Sequence, residues 1–321
     1  MIYELRGTRK YYSIDSLCAV FGYTRQAWYN HFRNEQIAFL EAEIVLQEIQ
    51  RIRADLPLTG CVKMHKELNK GFLQGHGITM GRDAVFDFVR SHGMLITTKK
   101  KWVRTTDSYH RFKVHADLVQ RRAAIRAEEI WVSDITYLRT SMGFVYLSLI
   151  TDAYSRKIVG YHLAPDLKAI GCIKALKRAI KLRIYPLRTL IHHSDRGTQY
   201  CCDDYVSLLK DSGILTSMTQ SGSPYDNAIA ERINGILKME FDLEKTFKNI
   251  ADAKAHTDMA IRKYNNLRMH ASCDFQTPFI THILENVIPK AKIEKNPANC
   301  KPISGKAETY VNAFQELNIT L

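Results

Sequence analysis

No apolar run in this 321-residue chain approaches the ~18 residues needed to cross a bilayer. The opening MIYELRGTRKYY has no hydrophobic signal-peptide core. Neither a membrane span nor a secretory leader is expected, and the expected compartment is the cytoplasm. Cysteine is sparse: seven residues, an odd number, run from Cys18 to Cys300 without a CxxC pair or paired Cys/His ligand spacing. That pattern argues against a disulfide framework and a structural zinc site. The adjacent Cys201 and Cys202 read as reduced thiols packed at a helix start. Internal repeats and low-complexity tracts are missing too. Acidic residues are in deficit, with 33 Asp+Glu against 46 Lys+Arg, which gives a formal charge of +13 and a pI near 9.3. The excess points to a polyanionic partner such as nucleic acid, although charge alone leaves an anionic membrane surface or mere basicity open. What is present, 45% hydrophobic residues over a length of about two domains, suffices for a sizeable core.

Residues 13 to 33, SIDSLCAVFGYTRQAWYNHFR, predict two short helices broken at Gly22. Ser13 or Asp15 caps the first, with Leu17, Val20 and Phe21 on its apolar face; Thr24 caps the second, where Trp28 and Phe32 are four apart. This is helix-turn-helix spacing. With Trp28 and Phe32 turned inward, Arg25, Gln26, Tyr29 and Arg33 are available to a DNA groove and its phosphates, while a plain helical hairpin has the same pattern. Residues 35 to 53 predict a longer helix with Ile37, Leu40, Ile44 and Ile52 near heptad register. Fewer than three heptads are present, so packing within the chain is expected. GCVKMHKELNKG and GRDAVFDFVRSHG predict a second helical pair, with His65 as a hydrogen-bonded packing residue.

These readings divide the N-terminal part into a helix-turn-helix DNA-binding module (1–34), a second helical module (35–98) and a basic linker (99–128). The linker carries Lys99, Lys100, Lys101, Arg104, Arg111, Lys113, Arg121, Arg122 and Arg126 against Asp107 and Asp117. Trp102, Tyr109 and Phe112 interleave with the cations as in a nucleic-acid track; a solvated charge run is the plain alternative.

From Glu129 the texture becomes α/β. A strand over 130–139, a second in FVYLSLITDAYSR (144–156) and, after a short bend around Ser155, a third in KIVGYHLA (157–164) predict an antiparallel meander. A helix (169–181), a strand (189–194), a helix (203–211), a strand (214–218) and a long helix (227–241) follow. That is the order of a ribonuclease-H-like fold, assigned to 129–285, with a C-terminal tail of unassigned structure over 286–321. The fold class is therefore α/β, a ribonuclease-H-like core preceded by small all-α modules.

Within the strand EIWVSDITYL, Asp134 shares a face with Val132, Thr136 and Leu138. A carboxylate there needs water, a cation or a metal. Asp195 ends the apolar run TLIHHSD where a strand opens into a loop, and Glu231 begins the long helix, with thirty-five residues between them. On that helix Ile229, Ile233, Ile236 and Leu237 make an apolar stripe, with Glu231, Asn234 and Lys238 nearly opposite. Periodicity alone makes Glu231 solvent-facing. Asn227 reads first as a helix cap.

The motifs WVSDITYL, HSDRGTQY, SPYDNAIAERINGILK and YNNLRMH, with TP at 277 to 278, resemble the DDE transposases and retroviral-type integrases. The resemblance is in particular to the orfB-type transposases of the insertion-sequence-three family, and the N-terminal helical modules also fit. It implies that Asp134, Asp195 and Glu231 are catalytic metal ligands for two Mg²⁺ ions, with Mn²⁺ substituting. It also implies that the polar side of the Glu231 helix overlooks the aspartates and DNA. Lys238 would then hold a phosphate near the scissile bond, with a surface lysine as the alternative, and Arg268 of YNNLRMH would contact phosphate. The implied partners are double-stranded DNA (element terminal repeats and target), further copies of the chain on that DNA, and a separately encoded helix-turn-helix protein. The implied activity is cleavage of element ends and joining of the 3′-hydroxyl to another phosphodiester. A non-catalytic DNA-binding protein derived from a transposase, or a nuclease without strand transfer, stays open.

Overall fold

The computed structural model describes residues 13–96, 114–119, 123–220 and 227–284. The hydroxyls of Ser13 and Thr24 accept the Ser16 and Ala27 amides at 3.1 and 3.0 Å. They cap helices α1 (Ile14–Val20) and α2 (Arg25–Asp55). Gly22, at φ 73°, turns the chain between them. Contrary to the sequence expectation, α2 does not end near residue 34 but runs 31 residues without a break. Neither glycine nor proline interrupts it, and Asn34 is a tolerable interior residue.

The first part of α2 leaves Ile37 and Leu40 44% and 60% exposed, so the heptad pattern packs nothing there. Its last part buries Val45, Ile49 and Ile52. These meet Met64 and Leu68 of α3 (Cys61–Leu68), Leu73 of α4 (Phe72–Gly75), and Val85 and Val89 of α5 (Arg82–Ser91). The second helical module thus takes its third helix from α2. His65 bonds Asn69 at 2.8 Å, as expected of a packing residue. Trp28 and Phe32 stack on each other at 5.9 Å and are half-buried, not turned into a core.

The catalytic half runs β1 (Ile130–Thr140), β2 (Gly143–Asp152), β3 (Ile158–Ala164), α6 (Ala169–Lys181), β4 (Leu190–Ser194), α7 (Thr198–Cys201) and α8 (Asp203–Asp211). β5 (Ile214–Met218), α9 (Ala228–Glu240), β6 (Thr246–Phe247), α10 (Ile250–Asn266) and α11 (Pro278–Ile283) follow. Among the described residues the strands form one sheet ordered β3-β2-β1-β4-β5, with β6 beside the far end of β1. The first three strands are antiparallel, while β4 and β5 run parallel to β1. This is the ribonuclease-H-like order.

Strand alternation sends Trp131 to one face, where it packs with Leu176 of α6 and Tyr205 and Leu209 of α8. Leu138, with Leu147 and Leu149 of β2, goes to the other face, against Ile233 and Leu237 of α9 and Tyr264 of α10. Asp134 shares that second face. At one edge of the sheet, Gly160 of β3 lets α6 settle close: a Cβ there would lie 2.4 Å from the Ala175 carbonyl oxygen. At the other, the Met218 amide of β5 donates to the Ala116 carbonyl (3.4 Å) and the Leu118 amide to the Ser217 hydroxyl (2.9 Å). Part of the segment read as a linker therefore lies along β5.

Candidate active site

β1 and β4 are parallel neighbours, paired from Ile130↔Ile191 to Ser133↔Ser194, so the residues that follow each pair, Asp134 and Asp195, come side by side. Both Asp134 oxygens are held: Oδ1 accepts the Ile135 amide at 2.8 Å and Oδ2 accepts Asn234 Nδ2 at 2.6 Å. Asp195 Oδ1 accepts the Gly197 amide at 3.0 Å, and a Cβ on Gly197 would sit 3.0 Å from that same oxygen. Burial, then the charge of Asp195, pushes the Asp134 carboxyl up to about 7; the bonds from Asn234 and Ile135 pull it back, and Glu231 adds a smaller push upward.

Glu231 stands in the first turn of α9, exposed at the surface, with its carboxyl raised by partial burial. One turn on, Asn234 is buried against Asp134, and one further turn on, the Lys238 ammonium lies 4.3 Å over the Tyr137 ring. Asn234 and Lys238 thus face β1, Glu231 is exposed as periodicity alone gives it, and Ile233, Ile236 and Leu237 join the core of Leu138, Leu147, Leu149 and Tyr264. Burial lowers the Lys238 ammonium from its usual range, against the pull of Glu244 and Asp134.

Asn227 departs from the capping expectation. Its side chain caps nothing and instead donates from Nδ2 to the Ser133 carbonyl at 2.9 Å, tying the start of α9 to β1. The amide oxygens of Asn227 and Asn234 are both buried without a hydrogen-bond partner. Among the described residues no three His, Cys, Asp or Glu side chains converge closely enough to hold a metal ion. The side chains of Asp134 and its neighbour Asp195 offer carboxylate oxygens, the donor type that suits a hard divalent cation.

Integrase core domain families match residues 125–224 and 212–278. The IS986/IS6110 insertion-element protein of Mycobacterium tuberculosis is 34% identical over 254 residues, covering 77% of this chain and 90% of its own. The transposase for insertion sequence element IS629 of Shigella sonnei is 32% identical over 81% of this chain and 88% of its own. Transposase InsF for insertion sequence IS3A of Escherichia coli is 29% identical over 83% and 93% respectively. The chain belongs to the DDE transposases of the insertion-sequence-three family. It serves DNA transposition and integration, as a polynucleotidyl transferase.

Away from the carboxylates, the transposase differs from expectation at Arg268. Its guanidinium is buried and grips Glu240 through two bonds of 2.6 Å, with a third to the Met269 carbonyl at 3.3 Å, and it lies over Tyr264. Buried and paired with Glu240 inside the fold, Arg268 forms a structural ion pair, which argues against the expected phosphate contact. Arg25, Gln26, Tyr29 and Arg33 share the exposed first turns of α2. Arg25 pairs with Asp15 at 3.5 Å and Gln26 bonds Asn30 at 3.0 Å. Lys99, Lys100, Lys101 and Arg104 lie outside the described residues, as does the tail over 286–321. No helix among the described residues is long and apolar enough to cross a membrane.

Sequence reasoning missed the roles of Asn227 and Asn234. The signal available for Asn234 was its place between Glu231 and Lys238 on one helix side.

Proposed function

We propose that Asp134, Asp195 and Glu231 are the catalytic carboxylates and together hold two Mg²⁺ ions, or Mn²⁺ in their place. The observation that carries this reading is the placement of Asp134 and Asp195 just past the last paired residues of the adjacent parallel strands β1 and β4, where burial and then the charge of Asp195 raise the Asp134 carboxyl to about 7. Two acids so placed cost stability unless a cation sits between them. Bound divalent ions supply activation of the attacking oxygen and stabilisation of the leaving oxygen. The protein's own part is orientation. The Asn234 amide and the Ile135 N–H fix the two Asp134 oxygens, the Gly197 N–H fixes Asp195, and Lys238, beside Tyr137, offers its ammonium to a phosphate.

Water attacks the phosphodiester at the element end, breaking a P–O bond and leaving a 3′-hydroxyl on the element. That hydroxyl attacks a second phosphodiester, forming one P–O bond as another breaks, so no external energy source is required. The substrates are terminal repeats and target duplex. Copies of the chain assemble on that DNA in the cytoplasm at the nucleoid, with or without a separately encoded helix-turn-helix partner. Residues 1–34 supply recognition of the ends and the 99–128 segment general affinity.

Asp134→Asn, Asp195→Asn and Glu231→Gln each remove one anionic ligand at constant size. Each is expected to reduce cleavage and joining by more than the ~10²–10³ that removal of a single electrostatic stabiliser costs, with DNA binding retained. EDTA should have the same effect, and Mg²⁺ or Mn²⁺ should restore only the unsubstituted protein. The assay resolves nicked and joined products of labelled end DNA on a denaturing gel; unsubstituted-level product from any variant removes that residue from the site.

A further inference from the structure

From Leu167 to Ser194 the chain has seven Lys or Arg and not one Asp or Glu. Three of the cations are used locally. Arg183 donates to Glu128 at 3.1 Å, Arg188 lies 3.7 Å over the Tyr185 ring, and Lys168 pairs with Asp166 at 3.1 Å. The other four, Lys174, Lys177, Arg178 and Lys181, all lie exposed on α6. At 100° per residue they fall within a stripe of about 100°.

The stripe continues across the β3 edge of the sheet. Arg178 lies 3.9 Å over the Tyr161 ring of β3, and Tyr161 donates to Asp258 at 2.8 Å. Burial, then the charges of Lys174, Lys254 and Arg178, holds the His162 imidazole below its usual range. α6 packs on the Trp131 face of the sheet, whereas Asp134 bonds α9 on the other. The four α6 cations therefore lie in a different layer from the cleavage site.

We propose that the outer face of α6 is a second DNA track, which grips the backbone of a duplex segment other than the one cleaved by the same chain. A line of like-charged side chains with no acid among them on α6, where Asp258 stands beyond the Tyr161 ring, matches the closely spaced phosphates of duplex DNA, about one charge per 1.7 Å of axis. It offers no fork of donors and acceptors aimed at base edges, so it holds DNA without reading it. The inference rests on the chain's role in DNA transposition and is independent of the carboxylate assignment.

The test compares the full-length protein with a Lys174→Gln, Lys177→Gln, Lys181→Gln triple variant and with a Lys210→Gln control on α8. Affinity for a long random-sequence duplex is measured from 50 to 200 mM salt. The triple variant is expected to bind several-fold more weakly, and its log–log salt slope should flatten by up to about 0.9 for each phosphate no longer neutralised. Cleavage of a short end duplex should stay at the unsubstituted level. An unchanged slope and affinity overturns the track and leaves the lysines as guards against edge-strand pairing.

A second measurement needs no substitution. Acetylation of the unsubstituted protein should be suppressed by random duplex at Lys174, Lys177 and Lys181 and not at Lys210. Equal reactivity with and without DNA, or protection that follows protein concentration alone, overturns the proposal. Loss of cleavage in the carboxylate variants with full binding by the triple variant would sink the track and spare the active-site reading; the converse result would do the reverse.

Discussion

Asn234 is the side chain on which the orientation of Asp134 most depends, through a 2.6 Å bond across one hundred residues of sequence. Replacing it with alanine removes a donor to a charged acceptor, worth roughly 1.5–3 kcal/mol, or about one to two orders of magnitude in rate if the whole of it acts in the transition state. Asn234→Asp is the sharper test, because it sets an acceptor-only anion against Asp134. Cleavage by Asn234→Asp should fall below that of Asn234→Ala in the same gel assay, with circular dichroism unchanged; the opposite ranking would show that Asn234 does not orient the carboxylate. Strand position and a strand-to-loop junction drew attention to Asp134 and Asp195, and only the motif resemblance joined Glu231 to them. Asn234 was not legible, since a lone amide on a helix is ordinarily a surface residue. Arg268 was misread for a related reason: its partner Glu240 is 28 positions away, and no local pattern announces a buried pair. Arg268→Ala should therefore cost about 3–5 kcal/mol of stability, the range for breaking one side of a buried pair, measured by urea unfolding. DNA affinity of the folded fraction should not change.

At the scale of elements, the strand order and most helices followed from alternation, 3.6-residue periodicity and turn residues, while the two faces of α9 and the continuity of α2 did not. Periodicity reports one apolar stripe; it is silent on whether the polar side meets water or another element. The attachment of α11 is likewise tertiary. Thr277 caps that helix and Pro278 opens it, but its anchor is His282, wholly buried, with Nδ1 2.9 Å from the Ser155 hydroxyl and its ring nitrogens 3.6 and 3.7 Å from Glu128 and Asp152. Burial opposes protonation of this imidazole, yet the facing carboxylates of Asp152 and Glu128 prevail and raise it above its usual value. A raised folded-state value contributes stability that is complete below the unfolded value, near 6.5, and is lost as pH rises through the folded one. His282→Gln should accordingly destabilise the protein more at pH 6, by roughly 1–3 kcal/mol for the missing buried bonds, than at pH 9. Thermal melts at the two pH values check this, and an equal penalty at both would mean that His282 is neutral in the fold. Glu128 titrates in the opposite sense. Burial works against its charge, but bonds from His282, the Ile184 amide, Arg183 and the Tyr185 amide hold it down to about 2, so its contribution persists above 4.5 and fails only in strong acid.

Across the whole molecule, the second helical module is fastened to the catalytic core by Asp55 to Lys263 (3.1 Å), Lys63 to Glu240 (4.0 Å) and Lys66 over the Phe275 ring (4.6 Å). Arg25→Ala, at the other end of α2, should relax discrimination between end and random DNA by roughly 1–3 kcal/mol if the residue reads a base. Equal losses on both DNAs in footprinting would count against that role. Because α2 is unbroken, its docked end and its Arg25 end are geared together. At 1.5 Å and 100° per residue, the 31-residue helix is a shaft of about 46 Å with a fixed angular phase. One residue inserted in the exposed stretch between Glu35 and Glu43 would turn the Arg25 end by about 100° while lengthening the shaft hardly at all. Seven inserted residues would bring it back to within ~20° of its starting angle. End recognition should fail with the single insertion and partly recover with the seven, so that the tolerance of this protein to length change is set by rotation rather than by distance.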